Sequence, residues 1–143
     1  MTPRISSGSS ARRLAGVVLA LACALAARPL VAHHSFAAEF DAATPFTLTG
    51  TVTKIEWTNP HVWFYIDVAD EKTKSVGNWA MEMNSPNSLI RLGWSRHSMS
   101  VGDTVVVEGS LARDGTRTGN VRSVVLASTG QRLFGGSSQE AAR

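Results

Sequence analysis

The chain of 143 residues carries 14 Lys+Arg against 11 Asp+Glu, a formal net charge of +3 and a sequence pI near 9.6. The excess is confined to one end: Arg4, Arg12, Arg13 and Arg28 lie in a 32-residue head without an acid, and the other 111 residues carry ten basic and eleven acidic side chains, a net of −1. That length allows one domain burying about two thirds of its unfolded surface, and that balance excludes a domain built to grip polyphosphate.

The head has three parts. Met1–Arg13 is polar and positive, Leu14–Ala27 is an uncharged apolar run, and Arg28-Pro29-Leu30-Val31-Ala32 precedes an abrupt change of composition. This is the order of a secretory signal peptide, and the 14-residue run is short of the roughly 20 residues that a membrane span needs. Cleavage after Ala32 starts the mature chain at His33-His34-Ser35-Phe36; a cut after Ala26, or a lipoprotein cut before Cys23, is the alternative. Cys23 is the only cysteine and leaves with the head, so the mature domain has no disulfide and no thiolate ligand or nucleophile. The expectation is an exported, periplasmic monomer with no stable membrane insertion after cleavage.

Residues 33–45 read as a lead-in. Phe46, Leu48, Gly50 and Val52 then alternate with threonines, a strand whose apolar parity slips to Ile55 and Trp57, which predicts a bulge near Lys54. Thr58-Asn59-Pro60 is a turn. His61–Val68 alternates throughout, with Val62, Phe64, Ile66 and Val68 on one side and His61, Trp63, Tyr65 and Asp67 on the other. A polar loop over Ala69–Val76 leads to a third strand, Asn78–Met83, with Trp79, Met81 and Met83 on one face. Ser85-Pro86 is a helix start, a capping hydroxyl followed by proline where no N–H is needed, and Gly93 ends that helix. Thr104–Leu111 and Val121–Ala127 are further strands, and Leu133-Phe134 is a short closing one. The predicted organisation is a signal peptide over 1–32, a lead-in over 33–45, a β domain over 46–134 and a disordered tail over 135–143. Three strands, a helix and two or three more strands predict a mainly β fold, a small five- to six-stranded OB-fold-like barrel with its short helix between strands 3 and 4. An open β-sandwich of similar strand count is the alternative.

Two groups of residues point to chemistry. A mature His33 offers its α-amine and a ring nitrogen to one metal ion, and a third nitrogen from His61, with His34 in place or in addition, makes an all-nitrogen set suited to Cu(II). The second group is a surface: if Val68 pairs with Asn78, then Tyr65 faces Met81 and Trp63 faces Met83, giving an aromatic and methionine patch on strands 2 and 3 where OB-folds bind ligands. A shift of one residue sends Met81 and Met83 into the core instead. That patch is the metal-free reading, with a small molecule or a periplasmic protein as partner. Nucleic acid is not expected, because Arg91, Arg96, Arg113, Arg117, Arg122 and Arg132 are scattered rather than massed. Catalysis finds little support: the chain has no Gly-x-Ser-x-Gly elbow, phosphate-binding glycine loop or His-Glu-x-x-His helix.

The segments HHSFAAEFD (33–41), GTVTKIEWTNPHVWFYID (50–67), Trp79–Met83, Ser85-Pro86-Asn87 and Gly102–Leu126 resemble the bacterial exported domain-of-unknown-function family 6152. The resemblance spans nearly all of the mature chain and implies an exported small β domain, with His33 and His34 directly after the signal and His61 and Trp63 in its signature. The chain departs from the family's small-Leu-Ala ending at Leu30-Val31-Ala32. The resemblance implies no activity.

Overall fold

The computed structural model describes residues 36–136. The predicted signal peptide, His33, His34 and residues 137–143 lie outside the described residues. A short helix α1 (Phe36–Glu39) runs directly into β1 (Phe40–Glu56), followed by β2 (Trp63–Asp70) and β3 (Ser75–Glu82). Helix α2 (Pro86–Arg91) comes next, then β4 (Thr104–Ala112), β5 (Thr118–Leu126) and β6 (Arg132–Phe134). The fold is mainly β, one six-stranded sheet in the order β3-β2-β1-β4-β5-β6, with β3 also pairing in parallel with β5.

β1 starts at Phe40, inside the predicted lead-in, and serves two neighbours in succession. Residues 40–51 pair with β4 and residues 51–56 with β2. Gly50 lies where the strand changes partner and permits a close approach: a Cβ there would lie 2.7 Å from the carbonyl oxygen of Asp67. The register shifts between Val52 and Lys54, where the slip of parity predicts a bulge. Helix α2 also begins as predicted, with the Ser85 hydroxyl accepting from the Ser88 amide at 3.4 Å and Pro86 in the first turn. Gly93, at φ +93°, provides the left-handed residue after it. Gly135 and Gly136, with which the predicted tail begins, are tied down. The Asn84 amide donates to the Gly135 carbonyl at 3.0 Å, and Asn84 Nδ2 donates to the Gly136 carbonyl at 2.6 Å.

The core is made by alternate residues of the strands: Val52, Phe64, Ile66, Met81, Val105, Val107 and Val124 are all under 2 % exposed. Met81 and Met83 belong to it, which corrects the predicted outer methionine patch. β2 and β3 pair with Val68 opposite Gly77, Ile66 opposite Trp79 and Phe64 opposite Met81, one residue away from the register that places Met81 beside Tyr65. The reason lies in the connecting turn. Asp70 Oδ1 accepts from the amides of Lys72 (2.9 Å) and Thr73 (3.2 Å), closing a tight turn after which pairing resumes at once between Asp70 and Ser75. A slip of one residue exchanges the two faces of a strand, and this register puts the large apolar side chains together.

Two expectations follow. Met81→Ala removes a fully buried side chain and lowers unfolding free energy by about 2–5 kcal/mol in denaturant melts, whereas a surface methionine would change it by about 0.5 kcal/mol or less. Glu108 Oε2 accepts from Ser123 Oγ (2.9 Å) and Arg132 Nη1 (3.0 Å), which holds its carboxyl below the ordinary 4.5. A depressed folded-state value means the stabilisation is complete above the unfolded value and is lost as pH falls through the folded one. The melting temperature of the wild type therefore exceeds that of Glu108→Gln at neutral pH, and the gap closes as the solution is acidified below 4.5; a gap constant with pH would refute the assignment.

Candidate functional site

Asn59-Pro60-His61-Val62 leads into β2. The Val62 amide donates to the Asn84 carbonyl at 3.2 Å, and the Met83 amide donates to the Val62 carbonyl at 2.9 Å, so the pairing of β2 and β3 continues one step past the strands. That extension fixes His61 beside Glu82. Glu82 Oε1 lies against His61 Nδ1, with the Glu82 side chain 5 % exposed and the imidazole 42 % exposed. A carboxylate against Nδ1 favours the proton on that nitrogen and leaves the lone pair on Nε2, the orientation found when histidine is held to ligate a metal.

Glu82 and Trp63 form one wall of a cleft of about 540 Å³. The other walls are α1 with Phe40, and the turn and strand ends from Ala112 to Thr118. Arg113 ties these walls together. Its amide donates to the Glu39 carbonyl (2.9 Å), its Nε to the carbonyls of Ala37 (3.0 Å) and Phe40 (3.1 Å), and its Nη2 to Asp41 Oδ1 (3.4 Å). The first described residues are thereby held at the cleft. Below them runs a row of paired residues sharing a face of the sheet, Trp63–Glu82–Asn120–Ser110. Glu82, Asn120 and Ser110 are all buried, and Asn120 Oδ1 has no hydrogen-bond partner. A buried acceptor without a donor is destabilising by about 1–3 kcal/mol.

The structure thus brings together His61 and Trp63 of the predicted site residues. Tyr65 points the same way but does not line the cleft. Its hydroxyl donates to Glu56 Oε2 at 2.9 Å, Lys54 Nζ sits 5.1 Å from its ring centre, and Lys54 pairs with Glu56 at 2.6 Å. The hydrogen bond to Glu56 raises the Tyr65 hydroxyl above its usual 10.0, and the bond from Lys54 lowers the Glu56 carboxyl. Met81 and Met83 are in the core, and His33 and His34 lie outside the described residues. Among the described residues, no group of three or more His, Cys, Asp or Glu side chains is arranged to hold a metal ion. Glu82 and Arg113 were not legible as site residues. Glu82 reads as one of several scattered carboxylates until the register places it beside Trp63, and Arg113 reads as one arginine next to an Asp114-Gly115 turn.

These features define a small β domain with a cleft of mixed polar and apolar lining, bounded by α1, the start of β1 and the β4–β5 turn. The model of a family of unknown function, DUF6152, matches residues 20–122, and the chain belongs to that family. Comparison with curated proteins and with solved structures gives no match.

Arg113→Ala removes three of the four tethers but keeps the backbone one. Hydrogen exchange of the amides of residues 36–41 is expected to accelerate about tenfold or more, as for a segment whose local opening becomes easier, while the core amides of Phe64 and Ile66 keep their protection. Equal exchange in both proteins would show that the guanidinium does not hold the segment.

Proposed function

We propose that the chain is an exported binding module with an OB-like barrel, and that its mature form holds one Cu(II) ion at the rim of the cleft through His33 and His61. The barrel reading rests on the cycle of pairings β1-β2-β3-β5-β4-β1, with α2 between β3 and β4, which is the strand order of that fold class. The metal reading is carried by one observation, the contact of His61 Nδ1 with the buried carboxylate of Glu82. Glu82 is a positioning residue here: it turns the imidazole so that Nε2 is the nitrogen offered to an ion. Arg113 holds residues 37–41 at the cleft that Glu82 lines, and His33 stands three positions before Phe36 in the sequence. The α-amine and a ring nitrogen of His33 form a chelate with the metal, and Nε2 of His61 adds the third nitrogen. His34 is available as a further ligand.

A second reading is favoured by the cleft itself. About 540 Å³ with Trp63 on its wall is within the range of small-molecule sites, roughly 300–1,000 Å³, so the same place can receive an organic ligand or a segment of a periplasmic protein without metal.

Titration of Cu(II) into protein isolated from periplasm, with intact mass to establish the first residue, separates the two. One tightly bound equivalent with a nitrogen-rich paramagnetic spectrum is expected, weakened about 10- to 100-fold by Glu82→Gln and more by His61→Ala. Acetylation of the α-amine or His33→Ala abolishes the spectrum. Equal binding by acetylated and native protein, or a first residue other than His33, refutes the copper reading and leaves the metal-free one.

A further inference from the structure

A second cleft, of about 490 Å³, lies on the other face of the sheet at the far end of β2 and β3 from His61. Its floor is Leu48 of β1, Val68 of β2, and Gly77 and Trp79 of β3. By the alternation of strands these residues are in step with Val52, Phe64, Ile66 and Met81, so they belong to the core-facing side. The latter four are under 2 % exposed, whereas Leu48, Val68 and Trp79 are only part-buried. The apolar interior therefore opens to solvent here. Mouths of small β folds of this kind are a usual place for ligand pockets.

Arg117, from the turn between β4 and β5, reaches across this opening. Gly77 makes room for it: a Cβ at position 77 would lie 2.8 Å from Nη1 and 2.9 Å from Cζ of Arg117. Among the described residues no carboxylate is within ion-pair distance of this guanidinium. Asp70 is near enough to feel its charge, but the carboxylate of Asp70 is committed to the amides of Lys72 and Thr73 that close the hairpin turn. The opening thus joins an exposed apolar floor to one guanidinium lying over it. Planar cations of this type pair with carboxylates through two parallel hydrogen bonds, and Asp70 and Glu71 on the rim disfavour a ligand with more than one negative charge.

We propose that this opening is a second binding site, for a small monoanionic apolar molecule, an aryl or branched-alkyl carboxylate or sulfonate. Its apolar body lies on Trp79, Leu48 and Val68, and its anionic group meets Arg117. The site is independent of the copper reading, since it includes neither His61 nor any residue of the cleft that Glu82 and Trp63 line.

The test uses 4-phenylbutyrate and its neutral amide, titrated into 15N-labelled mature protein. The indole N–H signal of Trp79, identified with Trp79→Phe, reports occupancy. Saturable binding of the acid is expected, at least tenfold tighter than that of the amide. Arg117→Gln equalises the two ligands and Arg117→Lys keeps a preference for the acid. Gly77→Ala, which displaces the guanidinium, weakens the acid several-fold without lowering the melting temperature. Glu82→Gln and His61→Ala leave the affinity unchanged. The proposal is overturned if acid and amide bind alike to the wild type, if Arg117→Gln keeps the preference, or if neither ligand moves the Trp79 signal.

Discussion

Val68 stands opposite Gly77, and Phe64 opposite Met81, because the Asp70 carboxylate gathers the amides of Lys72 and Thr73 into a turn that closes on the Asp70–Ser75 pair. Three features of the domain follow from that offset. It carries the methionines inward, sets Glu82 beside Trp63 and within reach of His61, and puts a residue without a side chain under Arg117. Moved by one residue, the same two strands would carry Met81 to the outward face and turn Glu82 into the apolar core.

The two faces of β3 consequently serve different ends. Glu82, on the outward side, is buried as part of a polar row with Asn120 and Ser110, and this row lies under residues that Arg113 holds in place. Burying such groups is unfavourable unless they are paired, and Glu82 meets that condition through His61. Gly77 and Trp79, on the inward side, extend the apolar interior to an open end. The turn between β4 and β5 contributes to both, since Arg113, Asp114 and Thr116 line the first cleft and Arg117 the second.

Much of the architecture was legible in the sequence. The alternation of Val62, Phe64 and Ile66 with His61, Trp63 and Tyr65 identified β2 and its buried side, and Ser85-Pro86 with Gly93 bounded the helix. The slip of parity after Val52 located the bulge to within a residue of Lys54. These signals are local: rotamer and backbone preferences, a missing N–H, and a period of two act over a few neighbouring residues. The extra length of β1 was not visible, because Phe40 to Pro45 pairs irregularly with β4 and lacks a clean alternation.

What the sequence determined by itself was which side of each strand is apolar, where the helix begins, and that His61 and Trp63 share an outward face. Only the tertiary structure decided how far each strand slides against its neighbour, and therefore which residues meet. His61 touches Glu82 across a hairpin, and Arg113 reaches Ala37 over 76 positions of chain. Alternation is the same for registers that differ by two residues, so it does not by itself choose the offset. That offset is chosen by the closure of one turn together with the close packing of side chains from distant strands, which no short stretch of sequence contains.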